Sequence, residues 1–383
     1  MLTEEENALL TRVGPGTPCG ELLRRYWMPC ALVADLTPEQ PTKLVRLLGE
    51  DLVIFRDKSG RLGMLADHCS HRGASLLYGR VEARGIACAY HGWLYDIEGY
   101  CLETPAEPAD STFHLTVRQR AYPVREYVGL IWAYLGPRPA PEIPPYDVWA
   151  RKDGTHKVIV QPDLDCSWLQ PMENSVDGPH AYILHQEFLS HRGRATPSTA
   201  TAGYTAGIAE WRYEEIPIGV MKTRAWANGH AESHPLIFPN MLRQANGTQI
   251  RVPIDDTHTR MYRVTFTPSP DGRVPEDGEV AIVHEGPYKS PPDNVYPWTT
   301  FDTLMCVAAQ DFMAWETQGP IADRPHERLT TGDRGVVMFR EMLKGEIAKV
   351  QQGLDPMCVI RDPNHPIIDT NLEESLAKVV HVE

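Results

Sequence analysis

The sequence predicts a two-domain α+β protein, an all-β N-terminal domain followed by a larger domain that mixes strands with helices. Short β-prone runs bounded by turn residues fill much of the first third, and a proline-rich interruption follows them. Beyond it, period-two alternation and helical patterns share the chain. At 383 residues there is length for two domains and a substantial core.

Taken in order, Glu4 to Trp27 carry a helical pattern broken by Gly14-Pro15-Gly16-Thr17-Pro18 and resumed in Glu21 to Tyr26. Short strands follow at Leu44–Leu48, Leu52–Arg56 and Arg61–Leu65, separated by Gly49-Glu50-Asp51 and by Asp57-Lys58-Ser59-Gly60. Tyr127 through Leu135 reads as one further β-prone run. It ends in Gly136-Pro137-Arg138-Pro139-Ala140-Pro141-Glu142-Ile143-Pro144-Pro145, the best linker in the chain. This divides the protein into residues 1–27, 28–145 and 146–383. In the last of these, Tyr262, Val264 and Phe266 alternate as on a half-buried strand.

The composition excludes several classes of function. Thirty-seven Lys and Arg against 51 Asp and Glu leave a net charge of −14, which opposes nucleic-acid or anionic-membrane binding. No apolar run approaches a membrane span, and the acidic start Met1-Leu2-Thr3-Glu4-Glu5-Glu6 lacks the features of a signal peptide. A cytoplasmic location is expected. Of eight cysteines, Cys19, Cys30, Cys101, Cys166, Cys306 and Cys358 are scattered and read as structural thiols.

The other two cysteines carry chemistry. Cys69-Ser70-His71 and Cys88-Ala89-Tyr90-His91 supply two thiolates and two imidazoles, the ligand set of a Rieske [2Fe–2S] cluster. Structural zinc also accepts Cys₂His₂, but zinc frames open with C-x₂₋₄-C or close with H-x₃₋₅-H, whereas each loop here offers one Cys and one His. Arg72-Gly73 and Gly92-Trp93 complete the pattern. Here the chain resembles the Rieske non-haem iron oxygenases, whose cluster loops read C-x-H-R-G and C-x-Y-H-G-W.

A second constellation lies past the linker. Asp177, His180 and His185 form D-x-x-H-x-x-x-x-H, and two His with a carboxylate make the facial site of Fe(II) enzymes that activate O₂. Positions five apart lie about 140° apart on a regular helix, so a bulge or helix end must intervene between the two rings. The bland alternative makes both His surface residues and Asp177 a helix N-cap ahead of Pro179. The family resemblance implies that His180 and His185 hold a mononuclear non-haem Fe(II). It also implies that Asp177 bridges to a cluster His, His71 or His91, of a neighbouring subunit. The third ligand is expected in the late helix around Gln310-Asp311-Phe312-Met313-Ala314-Trp315-Glu316. Asp311 is assigned, with Asp302, Glu316 and Asp323 as rivals.

Leu22-Leu23-Arg24-Arg25-Tyr26-Trp27 and Asp323-Arg324 narrow the resemblance to the phthalate-dioxygenase branch. That branch implies a catalytic domain with a central antiparallel sheet flanked by helices, on which residues 1–27 pack. It also implies homotrimers or stacked trimers, O₂ as co-substrate and a small aromatic acid as substrate. The reaction is either O-demethylation with formaldehyde release, favoured by Glu173-Asn174-Ser175-Val176-Asp177, or ring cis-dihydroxylation. No G-x-G-x-x-G opens a helix after a strand, so electrons are expected from a separate NAD(P)H-dependent reductase of flavin and ferredoxin type, with or without a ferredoxin. A pure Rieske electron carrier is the competing class, though it leaves residues from Tyr146 onward without a purpose. Lys222, Arg224, Arg243 and Arg251 could neutralise a substrate carboxylate, but a solvated role is expected for most of them. The tail from Lys344 shows no motif.

Overall fold

The computed structural model describes residues 2–187, 208–227, 229, 231–270, 280–289 and 306–370. The N-terminal helices are set by their caps. α1 (Glu4–Thr11) opens with a capping box in which Thr3 Oγ1 accepts the Glu6 N–H at 3.2 Å and Glu6 Oε2 accepts the Thr3 N–H at 2.9 Å. α2 (Pro18–Leu23) starts on proline, with Thr17 Oγ1 accepting the Gly20 N–H at 3.2 Å. The helical pattern stops at Leu23. Trp27 instead begins a strand, because its edge is paired with Tyr134.

The three strands expected between Lys43 and Ala66 form one antiparallel sheet, Thr42–Leu47, Glu50–Arg56 and Leu62–Ala66. A second small sheet joins Arg80–Glu82, Gly85–Ala87, Leu94–Tyr95 and Cys101–Glu103. Val53, Phe55, Leu65, Leu76, Ile86 and Tyr95 bury against one another beneath Cys69 and Cys88. The run Tyr127–Leu135 is not one strand but a hairpin, Val124–Tyr127 and Leu130–Tyr134. Val128 and Gly129 turn it at φ +50° and +72°, the left-handed pair that a two-residue hairpin demands.

Among the described residues the larger sheet has eight strands, in spatial order Ile208–Ile216, Gly219–Trp226, Ala231–Ile237, Met241–Gln244, Gly247–Pro253, Thr259–Pro268, Gly154–Val160 and Ala281–His284. It is antiparallel except at its edge, where Gly154–Val160 pairs in parallel with Ala281–His284. Tyr262, Val264 and Phe266 are buried as their alternation predicted. The short α3 (Asp147–Ala150) lies on one face, where Trp149 Nε1 donates to Thr248 Oγ1 at 2.8 Å. The sheet is further flanked by α4 (Leu169–Val176), α5 (Pro179–Tyr182), α6 (Val307–Glu316) and α7 (Arg334–Gln351).

The proline-rich stretch is packed rather than free. Trp27 Nε1 donates to the Pro141 carbonyl at 2.8 Å, the Glu142 N–H to Ile360 O at 2.8 Å, and Arg361 Nη1 to Pro139 O at 2.6 Å. A single apolar core runs past it, from Trp27, Ile131 and Trp132 to Trp149, Val264, Phe339 and Leu343. The N-terminal helices dock on the second half, with Lys344 Nζ 3.1 Å from Glu6 and Arg12 2.9 Å from Asp256.

Candidate metal centres

The two Cys/His loops are copies of one turn. The Cys69 N–H donates to Ala74 O and the Cys88 N–H to Trp93 O, both at 2.9 Å. In return, Cys69 O accepts from the Gly73 N–H at 2.8 Å and Cys88 O from the Gly92 N–H at 2.9 Å. Gly73 and Gly92 sit at φ +74° and +73°, which is why glycine closes each motif. Both thiols are buried and both imidazoles lie nearer the surface, with ring centroids 4.5 Å apart. His71 stacks on Trp93 at 4.3 Å, and its Nδ1 is buried without a hydrogen-bond partner. Tyr95 Oη lies 3.2 Å from Cys69 Sγ and 2.9 Å from Ser70 Oγ. Burial pushes the Cys69 thiol up, so a cationic centre is needed to keep it as thiolate. Two thiols, two imidazoles and an orphaned ring nitrogen fit a two-iron cluster.

The second constellation forms where α4 ends. The Asp177 N–H closes α4 on Glu173 O (3.0 Å) and Asn174 O (3.1 Å), and α5 opens at Pro179. Ile183–Glu187 then widen into a π-turn. This is the bulge that the five-residue spacing required, since a wider turn brings His185 round toward His180. The rings stand 5.4 Å apart at 86°. Asp311 arrives from α6, its Oδ1 3.2 Å from His185 Nε2 and 3.9 Å from His180 Nε2. Metal-binding atoms of His180, His185 and Asp311 all lie within 4.8 Å of one another. Asp311 Oδ1 is buried and has no hydrogen-bond partner among the described residues, an orphaned oxygen that a divalent ion would satisfy.

The remaining ring nitrogens are held from outside. His180 Nδ1 lies 3.1 Å from Asp177 Oδ2, and His185 Nδ1 lies 2.7 Å from Gln310 Oε1. Asp177 is therefore not an N-cap; it is the residue that ends α4. The N-cap of α5 is Gly178, which makes no side-chain capping bond. Among the rivals for the third ligand, Glu316 is engaged by Lys289 at 2.7 Å and by the Asp165 N–H at 2.9 Å. Asp323 is exposed and paired with His326, and Asp302 lies outside the described residues.

Comparison with known proteins decides the family. Residues 26–124 match the model of the Rieske [2Fe-2S] domain, and residues 295–372 match the LigXa C-terminal domain like family. The chain is 38% identical to the 5,5'-dehydrodivanillate O-demethylase oxygenase subunit of a Sphingobium species, over 95% of this chain and 84% of that protein. It is 34% identical to the phthalate 4,5-dioxygenase oxygenase subunit of Pseudomonas putida, over 92% and 88%. The chain belongs to the Rieske non-haem iron oxygenases. In fold, this oxygenase is similar to Pseudomonas putida CBB5 NdmA, with a TM-score of 0.61 at 21% identity over 90% of this chain and 99% of that one. Its cofactors are a Rieske [2Fe–2S] cluster and a catalytic non-haem iron, and the carrier and zinc readings fall away. The stretch after Lys344, without a motif by eye, lies largely inside the second family match. No helix among the described residues of the oxygenase is long and apolar enough to cross a membrane.

The four cations are not solvated. Lys222, Arg224, Arg243 and Arg251 are all buried. Sheet register sorts them: Lys222 pairs with His234, Leu236 with Leu242 and Leu242 with Gln249. Side chains alternate along each strand, so Lys222, Arg224 and Arg251 share one face and Arg243 takes the other. Arg243 accordingly meets Asp147 at 3.0 Å, and Arg224 Nε meets Glu232 at 2.9 Å. Among the described residues Lys222 donates only to the Asp177 carbonyl, at 3.0 Å, and burial pushes it down to about 8. Among the described residues Arg251 is bonded only to Gln249, through its side-chain and main-chain oxygens, and burial pushes it down to about 9 against the pull of Asp311. Gln310 and Lys222 are the neighbours that motif reading underrates: an amide beside a ligand leaves no pattern in the sequence.

Proposed function

We propose that the oxygenase uses O₂ and electrons from a separate NAD(P)H-dependent reductase to O-demethylate a methoxylated aromatic acid. The observation that carries this reading is the convergence of His180, His185 and Asp311 with two buried cations, Lys222 and Arg251, neither of which is bonded to a carboxylate among the described residues. Similarity to an O-demethylase oxygenase subunit over nearly the whole chain supports the reaction type.

In this reading Cys69, His71, Cys88 and His91 hold the cluster, and His180, His185 and Asp311 hold the iron. When bound, the cluster supplies single electrons and the ferrous ion supplies open positions at which O₂ is reduced. The chain's own residues do the rest. Lys222 and Arg251 attract the substrate carboxylate by charge, since a buried cation with no carboxylate bonded to it gains most from an incoming anion. Asp177 orients His180 and, in a homotrimer, links it to His71 or His91 of the next subunit.

The overall reaction consumes one O₂, one NAD(P)H and one proton. The methyl carbon gains one oxygen and water takes the other. The resulting hemiacetal breaks its aryl O–CH₂ link, leaving a phenol and formaldehyde. The second reading is cis-dihydroxylation, which places both oxygens on the ring; similarity to the phthalate 4,5-dioxygenase subunit favours it. Methoxybenzoates and phthalate, each incubated with a surrogate reductase, separate the two. Formaldehyde stoichiometric with NADH supports demethylation; dihydrodiol without formaldehyde reverses the assignment.

A further inference from the structure

His180 and His185 present the same atom to the same point, yet unlike groups hold them. Behind His180 stands a carboxylate, Asp177, whose side chain is 26% exposed. Behind His185 stands the amide of Gln310, which has no solvent exposure. We propose that Gln310 is the positioning residue of the iron site: its Oε1 accepts the His185 Nδ1–H and so leaves Nε2 bare and aimed at the metal. The proposal rests on reading His180, His185 and Asp311 as the ligands.

A neutral imidazole carries one proton, and the hydrogen bond at one ring nitrogen decides which nitrogen remains for the metal. With Gln310 Oε1 at 2.7 Å from Nδ1, the proton belongs there. An amide can also donate, which would place the proton on Nε2, facing Asp311 Oδ1 at 3.2 Å. Only the first arrangement can ligate a cation, so metal binding selects it. A carboxylate at 310 would enforce the same tautomer but add a buried anion next to Asp311, at a desolvation cost. Gln310 directly precedes Asp311 in α6, so one helix end supplies both the ligand carboxylate and the anchor of the opposing ring. Cys306 steadies that end, its Sγ accepting the Ala309 N–H at 3.4 Å.

The two partners thereby divide the work. Gln310 governs how tightly and in what geometry iron is held, whereas Asp177 governs how electrons arrive.

The test uses the intact holoenzyme with its cluster in place. Gln310→Met keeps volume but removes the acceptor; Gln310→Glu keeps the acceptor. Ferrous affinity of the mononuclear site is measured by chelator competition, and site geometry by the electron paramagnetic resonance of its nitric oxide adduct. Gln310→Met should lose about 10–100-fold in affinity, the range for groups that orient a metal-bound His, and broaden the nitric oxide signal. Gln310→Glu should restore both. Parental affinity and signal in Gln310→Met overturn the proposal, as does an equal loss in Gln310→Glu. Asp311→Ala serves as a separate arm. If it retains the mononuclear iron, the ligand assignment itself is wrong and the role of Gln310 falls with it.

Discussion

Asp177 and Asp311 both approach His180, at 3.1 Å and 3.9 Å, but from opposite sides of the ring. They therefore call for different outcomes. Asp311→Ala removes the proposed third ligand, so mononuclear iron and turnover should disappear while the visible spectrum of the cluster persists. Iron analysis showing three irons per chain in that variant would count against the assignment. Asp177→Asn keeps the shape and both metal sites but loses the charge that, in the proposed arrangement, stands between two imidazoles. In a single-turnover mix of pre-reduced protein with O₂ and substrate, cluster reoxidation should slow by orders of magnitude. Reoxidation at the parental rate would leave the electron route without this residue.

Among the elements, α4 matters most, because its C-terminal end places Asp177. Its Glu173 is buried among cations from two other segments. Arg324 donates to it at 2.7 and 2.9 Å and Arg340 at 2.6 Å, while Asn7 of α1 accepts from Arg324 at 3.2 Å. Burial pushes the Glu173 carboxyl up, but Arg324 and then Arg340 outweigh it and hold it below the ordinary range. A carboxyl depressed in the folded state stabilises the fold fully above its unfolded pKa, about 4.3, and loses that contribution as pH falls through the folded value. Glu173→Gln should thus cost roughly 3–5 kcal/mol at pH 7, since it strands buried charge. The gap in melting temperature between parent and variant should close as pH is lowered below about 4. A gap independent of pH would remove charge from the explanation.

On the scale of the whole molecule, the cluster-bearing and iron-bearing halves share a core. Trp132 of the first meets Trp149 of the second with ring centroids 4.9 Å apart, and both are nearly fully buried. Trp132→Ala should cost about 3–5 kcal/mol and lower the unfolding of both halves together. Calorimetry should show one transition in which cluster bleaching and loss of catalytic-sheet structure coincide. Two well-separated transitions, only one of them moved by the substitution, would show that the shared core does not couple the halves.

What the sequence by itself determined is local. Cys69-Ser70-His71 and Cys88-Ala89-Tyr90-His91 identify the cluster because each loop is a self-contained turn whose glycine and backbone bonds lie within five residues of its cysteine. The five-residue spacing of His180 and His185 likewise announces a departure from the regular helix, and the π-turn at Ile183–Glu187 supplies it. Only the tertiary structure decided the rest. Asp311 and Gln310 reach the two His across more than a hundred residues, through packing that no local window encodes. The hairpin at Val128-Gly129 hid inside a continuous apolar run because two buried strands and their turn share one hydrophobic signal. The four cations read alike in sequence. Strand parity across the sheet sends Arg243 to Asp147 and puts Lys222 and Arg251 on the opposite face, bonded to no carboxylate among the described residues, because a side chain's face is set by register with neighbouring strands and not by the residue itself.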